Sequence, residues 1–185
     1  KFSAGLTTPK QHDSERKRMK HGLMHLYYGD GKGKTTAAMG LAVRALGAGL
    51  RVNVVQFLKN GQSSELTCLE TLGARLWKGQ AGTKFVSAMT DEEKAQVRDF
   101  QNECLARALE VPCDLLVLDE ACAAWRLGMV DDLLLQKAVL GRPEGTEVVL
   151  TGRDPAPWMK LKADYITEMR CEKHPYEQGI SARKG

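Results

Sequence analysis

No run in this chain approaches the roughly 20 apolar residues that cross a bilayer, and its start has no signal-peptide core. A cytoplasmic protein with no membrane partner is expected. The five cysteines (Cys68, Cys104, Cys113, Cys122, Cys171) are odd in number and include no C-x-x-C pair, which argues against a zinc ribbon and a disulfide framework. Reduced, mostly buried thiols are expected. Aromatic residues make up only 6% of the chain, and no basic, aromatic stripe offers itself to a nucleic acid, so no such partner is expected. An excess of either charge is also missing over most of the length. The net charge of +4 sits in residues 1–22, where Lys1, Lys10, Arg16, Lys17, Arg18 and Lys20 outnumber Asp13 and Glu15, and the rest is balanced. That basic tail is either a solvated, flexible leader or a segment that binds an anionic ligand or nucleic acid. Residues 23–185 have the size of one domain, and 43% hydrophobic with 27% charged residues is ordinary globular composition.

What is present is a glycine-rich loop. Tyr28-Gly29-Asp30-Gly31-Lys32-Gly33-Lys34-Thr35-Thr36 follows a short apolar run and opens an amphipathic stretch, the strand–loop–helix context of a phosphate-binding loop. The glycines let the backbone turn, direct amide N–H groups inward and approach an anion closely, while the helix start adds its positive dipole end. Lys34 would pair with phosphate oxygens, and Thr35 would offer its hydroxyl to the magnesium ion of a nucleoside triphosphate. The usual loop has a glycine five residues before the Gly-Lys pair; Tyr28 stands there, so this is a compact variant. Lys34 also replaces the third glycine of the dinucleotide pattern and excludes that class. A plain glycine-rich hairpin turn would need neither the Gly-Lys-Thr ending nor this context.

Leu23 to Tyr28 reads as the first strand, Thr35 to Leu46 as the helix leaving the loop, and Arg51 to Phe57 as a buried second strand. Glu65 to Leu72 suits a short helix and Arg75 to Trp77 a short strand. Thr90 and Glu93 form a capping box for a helix running to about Leu109. After Pro112, the run Cys113 to Glu120 is apolar until it ends in Asp119-Glu120. Acids at the carboxyl end of a buried parallel strand, downstream of a phosphate loop, suit a magnesium nucleotide; the alternative is that Asp119 only caps the next helix. There follow a helix, Val130 to Leu140, and a strand, Glu147 to Leu150, ending in Thr151-Gly152-Arg153-Asp154. A short helix from Pro157 to Ala163 and a strand from Tyr165 to Met169 complete the order, and Lys173 to Gly179 is too polar for core. Alternating strands and helices predict an α/β fold with a mainly parallel sheet. None of the four histidines falls in the three polar clusters, which leaves Asp119 or Glu120 as the available base for phosphoryl transfer. A P-loop kinase for a nucleoside or small molecule and a RecA-like nucleic-acid-binding ATPase both remain open on these residues.

The loop Gly29 to Ala38, with Arg44, Val55-Gln56-Phe57-Leu58-Lys59, Leu118-Asp119-Glu120, Arg142-Pro143-Glu144-Gly145, Val149-Leu150-Thr151-Gly152-Arg153 and Lys173-His174-Pro175-Tyr176, resembles the ATP:corrinoid adenosyltransferases of the CobA/CobO/BtuR type. The resemblance runs from about His21 to the end. It implies a RecA-like P-loop fold, a three-layer sandwich, in a homodimeric transferase that moves the 5′-deoxyadenosyl group of ATP to the cobalt(I) of a corrinoid, cobalamin or cobinamide, and releases triphosphate. Cobalt(I) is then the nucleophile, and no residue is required as acid or base. The resemblance also implies ATP in reversed orientation and a flavoprotein reductant.

Carried over by resemblance, Gly29, Asp30, Gly31, Lys32, Gly33, Lys34, Thr35 and Thr36 hold the triphosphate. Thr35 and Glu120 hold Mg2+, and Asp119 supports it indirectly. Arg44 resembles an arginine near the ribose, although an exposed helix charge explains it nearly as well; Arg153 contacts either the nucleotide or corrinoid side chains. The tail gains a further reading, a clamp over the corrinoid of the neighbouring subunit. Where the family often has Phe-x-Trp facing the lower side of the corrinoid, this chain has Phe85-Val86-Ser87, with Ser87 in the second place.

Overall fold

The valine- and leucine-rich runs form one six-stranded sheet in the computed structural model, which describes residues 21–59, 63–78 and 84–180. The strands are β1 (Met24–Tyr28), β2 (Val52–Gln56), β3 (Arg75–Lys78), β4 (Leu115–Asp119), β5 (Glu147–Gly152) and β6 (Tyr165–Glu168). They lie in the order β3-β2-β4-β5-β1-β6, and every neighbouring pair is parallel. Parallel neighbours need a crossover between them, and helices supply it: α1 (Lys34–Gly47), α2 (Ser64–Thr71), α3 (Asp91–Leu109), α4 (Ala121–Arg126), α5 (Asp132–Leu140) and α6 (Pro157–Lys162). Among the described residues no helix is long and apolar enough to cross a membrane.

Two apolar layers follow from the strand period of two. Val52, Val54, Leu115, Val117 and Val149 face α1 and α2, packing on Ala38, Ala42, Leu66 and Leu69. Val55, Leu116, Leu118, Val148 and Leu150 face the other way, onto residues of α3, α4, α5 and α6. The two crossovers that step towards β3 carry α1 and α2 on one face; those that step towards β6 carry the other helices on the opposite face. One hand of connection throughout requires this division. The step from β1 to β2 passes over β5 and β4, so the strand order reverses at β1, and the crevice where ligands bind such sheets opens at its carboxyl end.

Local signals account for most boundaries. Thr90 and Glu93 make both halves of the capping box, with Glu93 N–H donating to Thr90 Oγ1 at 3.2 Å and Thr90 N–H to Glu93 Oε2 at 2.9 Å; such caps contribute about 1 kcal/mol. The helix expected from Val130 begins at Asp132 instead, because the Asp131 carboxylate accepts from Leu134 N–H and caps it. β5 runs two residues further than expected, since Thr151 and Gly152 still pair with Tyr27 and Tyr28. No sequence signal marks the bounds of α4, which is six residues long and starts without a side-chain cap. The expectation of mostly buried thiols needs correction, because all five are free but only Cys122 is buried. The basic tail reading for residues 1–22 falls, up to residue 20, outside the described residues.

Candidate active site

Gly29 to Gly33 connect β1 to α1, and the chain after β6 braces their outer side. Gly31 N–H donates to Met169 O at 2.7 Å, and Cys171 N–H to Asp30 Oδ1 at 3.1 Å. That strap explains two of the glycines: a Cβ at Gly29 would stand 2.3 Å from Met169 O, and one at Gly31 would stand 2.6 Å from Arg170 O. Gly29 also has φ 116°, a conformation that disfavours any side chain. Lys34 opens α1 and folds back over the loop, where its Nζ donates to Gly31 O at 2.6 Å. Burial, and then the Arg153 charge, lower its pKa, against attraction from Glu120, Asp30 and Asp119. An anion seated in the loop would face an ammonium already in place.

Strand parity builds the second part of the site. Val52, Val54, Leu115, Val117 and Val149 face α1, so Gln56, Asp119 and Thr151 must face it too, each at the carboxyl end of its strand. Asp119 is the centre of this group and is wholly buried. Its Oδ1 accepts from Thr35 Oγ1 at 2.8 Å and Thr151 Oγ1 at 2.7 Å; its Oδ2 accepts from Gln56 Nε2 at 2.9 Å and Lys59 Nζ at 2.8 Å. Burial pushes the Asp119 pKa up, but the Lys59 charge and the hydrogen bonds from Lys59, Thr151 and Gln56 outweigh it, and the net shift is downward. A carboxylate so fully engaged stays ionised and has no oxygen left to take a proton. The reading of Asp119 as a helix cap does not hold, because the residue at the cap position of α4 is Glu120.

Glu120 itself sits at φ 61°, a left-handed conformation uncommon outside glycine. Its N–H donates to Thr151 Oγ1 at 2.9 Å, which fixes the turn, and no described residue donates to its carboxylate. Burial and then the neighbouring Asp119 raise its pKa, opposed by Lys59, Lys34 and Arg153. Glu120 thus lies within electrostatic reach of all three cations.

A hard divalent cation fits this donor set only as a shared ligand. Among the described residues no group of three His, Cys, Asp or Glu could hold a metal alone. Thr35, however, commits its proton to Asp119, so its oxygen acts as an acceptor, and it accepts from Lys59 Nζ at 3.3 Å. Thr35 and Glu120 then offer oxygens, with phosphate oxygens and waters left to complete six ligands.

Arg153 reaches the loop, its Nη2 donating to Asp30 O at 3.3 Å. It lines an open cleft of about 560 Å³ with Tyr28, Asp154, Lys160 and Arg170, and Lys160 Nζ lies 4.3 Å from the Tyr28 ring centre. Lys32 and Thr36 are exposed at the loop. Arg44 is not brought to the site; it is exposed in the last turn of α1, about 15 Å along the helix from Lys34. Phe85 is 86% exposed and precedes a 3₁₀ turn, Val86–Ala88, that contains Ser87; both lie in the connection from β3 to α3, four strands across the sheet from β1. The sequence gives Gln56 and Lys59 no part, and places Thr151 only within a polar cluster at a strand end. Counting strand parity back from Asp119 would have found Gln56 and Thr151; nothing local marks Lys59.

The profile of the family described as ATP:corrinoid adenosyltransferase BtuR/CobO/CobP matches residues 20–185. A corrinoid adenosyltransferase of Pseudomonas aeruginosa is 34% identical over 174 residues, covering 91% of this chain and 84% of that protein. Its counterpart in Escherichia coli K12 is 31% identical, covering 89% and 84%, and one from Sinorhizobium is 33% identical, covering 89% and 79%. A solved peptidoglycan N-acetylglucosamine deacetylase aligns over 82% of this chain and 86% of its own at 11% identity with a TM-score of 0.30, too low to bear on the fold. The compact glycine-rich loop and the acid pair at the end of β4 are thus those of a chain that belongs to the ATP:corrinoid adenosyltransferase family.

Proposed function

We propose that the protein transfers the 5′-deoxyadenosyl group of ATP to the cobalt(I) of a corrinoid and releases triphosphate. The observation that carries this reading is the family match over residues 20–185; the saturation of Asp119 by four donors beside the glycine-rich loop agrees with it, since it takes away one of the two candidate bases, Glu120 being the other. So engaged, Asp119 orients Thr35 and cannot deprotonate a hydroxyl or water, whereas adenosyl transfer needs no base. Cobalt(I) of the substrate supplies the electron pair for the new cobalt–carbon bond, and the C5′–O bond breaks with its pair going to triphosphate. The residues' task is to hold C5′ in line and to stabilise the departing charge. Loop amides from Lys32 to Thr35 and the Lys34 ammonium suit that charge, and the Lys32 side chain, Thr36 and Arg153 add to it from the rim. Magnesium held by Thr35 and Glu120 would supply further electrostatic stabilisation, with Asp119 fixing the Thr35 hydroxyl.

This reading extends to a RecA-like P-loop fold, a cytoplasmic homodimer, cobalamin or cobinamide as acceptor and a flavoprotein as reductant. An exposed Phe85 with Ser87 beside it supports their contact with the corrinoid. Incubation with ATP, magnesium and chemically reduced cobalamin is expected to give a light-sensitive cobalt–carbon product and intact triphosphate; ADP as the product would point to a kinase and overturn the reading.

A further inference from the structure

The turn after β2 holds one residue in a conformation that its side chain disfavours. Leu58 has φ 57°, the left-handed region that is unusual for a non-glycine residue. The turn is pinned from both sides. Phe57 N–H donates to Asp119 O at 3.0 Å, and Leu58 N–H donates to Gln101 Oε1 at 3.0 Å. Gln101 is 1% exposed, and its Nε2 donates to Met129 O at 3.2 Å, so it has little freedom to yield. The result is that Lys59, 29% exposed at its side chain, crosses the carboxyl end of β2 and places Nζ between Asp119 Oδ2 and Thr35 Oγ1.

A lysine needs no such constraint to reach solvent, and Asp119 already accepts from three neutral donors, Thr35, Thr151 and Gln56. What Lys59 adds is a positive charge on the oxygen that the loop offers to a cation. A metal ion and an ammonium cannot share the Thr35 oxygen, because like charges at contact repel strongly. Once a cation arrives with its triphosphate, the displaced ammonium has new anionic oxygens within the reach of its flexible stem.

We propose that Lys59 is a second phosphate-contacting lysine of this site, which holds the place of the divalent cation while the site is empty and passes to the triphosphate when the cation binds. The inference rests on the loop as a triphosphate site, not on which bond of ATP is cut.

Two ligands of the full chain test it: magnesium with inorganic triphosphate, followed by calorimetry, and Mn2+ alone, followed by electron paramagnetic resonance. Lys59→Met is expected to weaken magnesium triphosphate about tenfold, as loss of a charge-assisted contact does, and to tighten Mn2+ alone several-fold by removing a competing charge, on the order of threefold or more. Lys59→Arg keeps the charge and is expected to stay within about threefold of the parent for triphosphate. Opposite signs for the two ligands support the proposal; both weakened, or neither changed, would overturn it, since a lysine that only braces the site has no reason to hinder a metal. Should Lys59→Met not fold, Leu58→Gly retains the lysine and loosens its aim. That variant is expected to bind magnesium triphosphate about threefold more weakly, and an unchanged affinity counts against the proposal. A protein that binds triphosphate through Lys59 yet makes no cobalt–carbon product would overturn the adenosyl-transfer reading and leave this one standing.

Discussion

Thr35 donates its hydroxyl proton to Asp119 across 2.8 Å, joining the first turn of α1 to the end of β4 over 84 residues of sequence. The bond leaves the Thr35 oxygen as an acceptor, and it ties the buried carboxylate to the start of the helix that follows the glycine-rich loop.

Asp119→Ala removes the acceptor for Thr35, Gln56, Thr151 and Lys59 together. Loss of one partner from a buried charged pair costs about 3–5 kcal/mol; Lys59 is partly exposed, so urea unfolding is expected to show a loss nearer 3 kcal/mol. The contribution of Asp119 also has a pH signature. Its folded pKa is depressed, so its stabilisation is present in full above the ordinary aspartate value of about 3.9 and is lost as pH falls through the depressed value. Asp119→Asn is expected to lack that component of acid destabilisation when unfolding is followed against pH.

Gly31→Ala would press a methyl group against backbone, with Arg170 O at 2.6 Å and Met169 O at 2.8 Å. Neither atom is the end of a flexible side chain, so the strap or the loop must shift. A melting point lowered in line with overpacking of about 1–3 kcal/mol and a loss of at least tenfold in ATP affinity are expected from thermal unfolding and calorimetry.

Burial pushes the Cys122 thiol up to about 12 and the Cys113 thiol up to about 11. Only thiolates react with alkylating reagents at useful rates. At pH 8, mass spectrometry of iodoacetamide-treated protein is expected to find exposed Cys68 modified first and Cys122 modified only after denaturation. Early labelling of Cys122 would contradict its burial on the core side of α4.

At the amino end of the sheet, His25 Nε2 and Glu147 Oε1 lie 2.6 Å apart with both side chains largely buried. Glu147→Ala is expected to cost about 1–3 kcal/mol in unfolding free energy, as an unsatisfied buried polar group does. Triphosphate affinity measured on the same variant should not change, because the loop is at the other end of the strands.

Phe85 has almost no packing to lose at 86% exposure. Phe85→Ala is therefore expected to leave the melting temperature unchanged and to raise KM for the corrinoid while leaving that for ATP unaltered. Steady-state rates with each substrate varied in turn make the comparison.

Local chemistry was legible wherever both partners of an interaction lie within a few residues. The compact loop, the Thr90–Glu93 box and the period-two strands follow from glycine freedom, capping and side-chain alternation, and these alone determined an α/β chain with a glycine-rich loop at a strand end. The bounds of α4 escaped because Ala121-Cys122-Ala123-Ala124 carries no cap and no amphipathic period. The strap over Gly29 and Gly31 escaped because backbone contacts from residues 169 and 170 leave no mark on side-chain identity.

Tertiary structure alone decided which groups converge on Asp119. Its donors stand 84, 63, 60 and 32 residues away, as Thr35, Gln56, Lys59 and Thr151, and only the strand order β2-β4-β5 brings them to one end of one face. The same folding brought Lys59, unremarkable in sequence, into the site. Hydrogen bonds and charge interactions act over a few ångströms of space, and distance along the chain does not report that separation once crossovers reorder the strands.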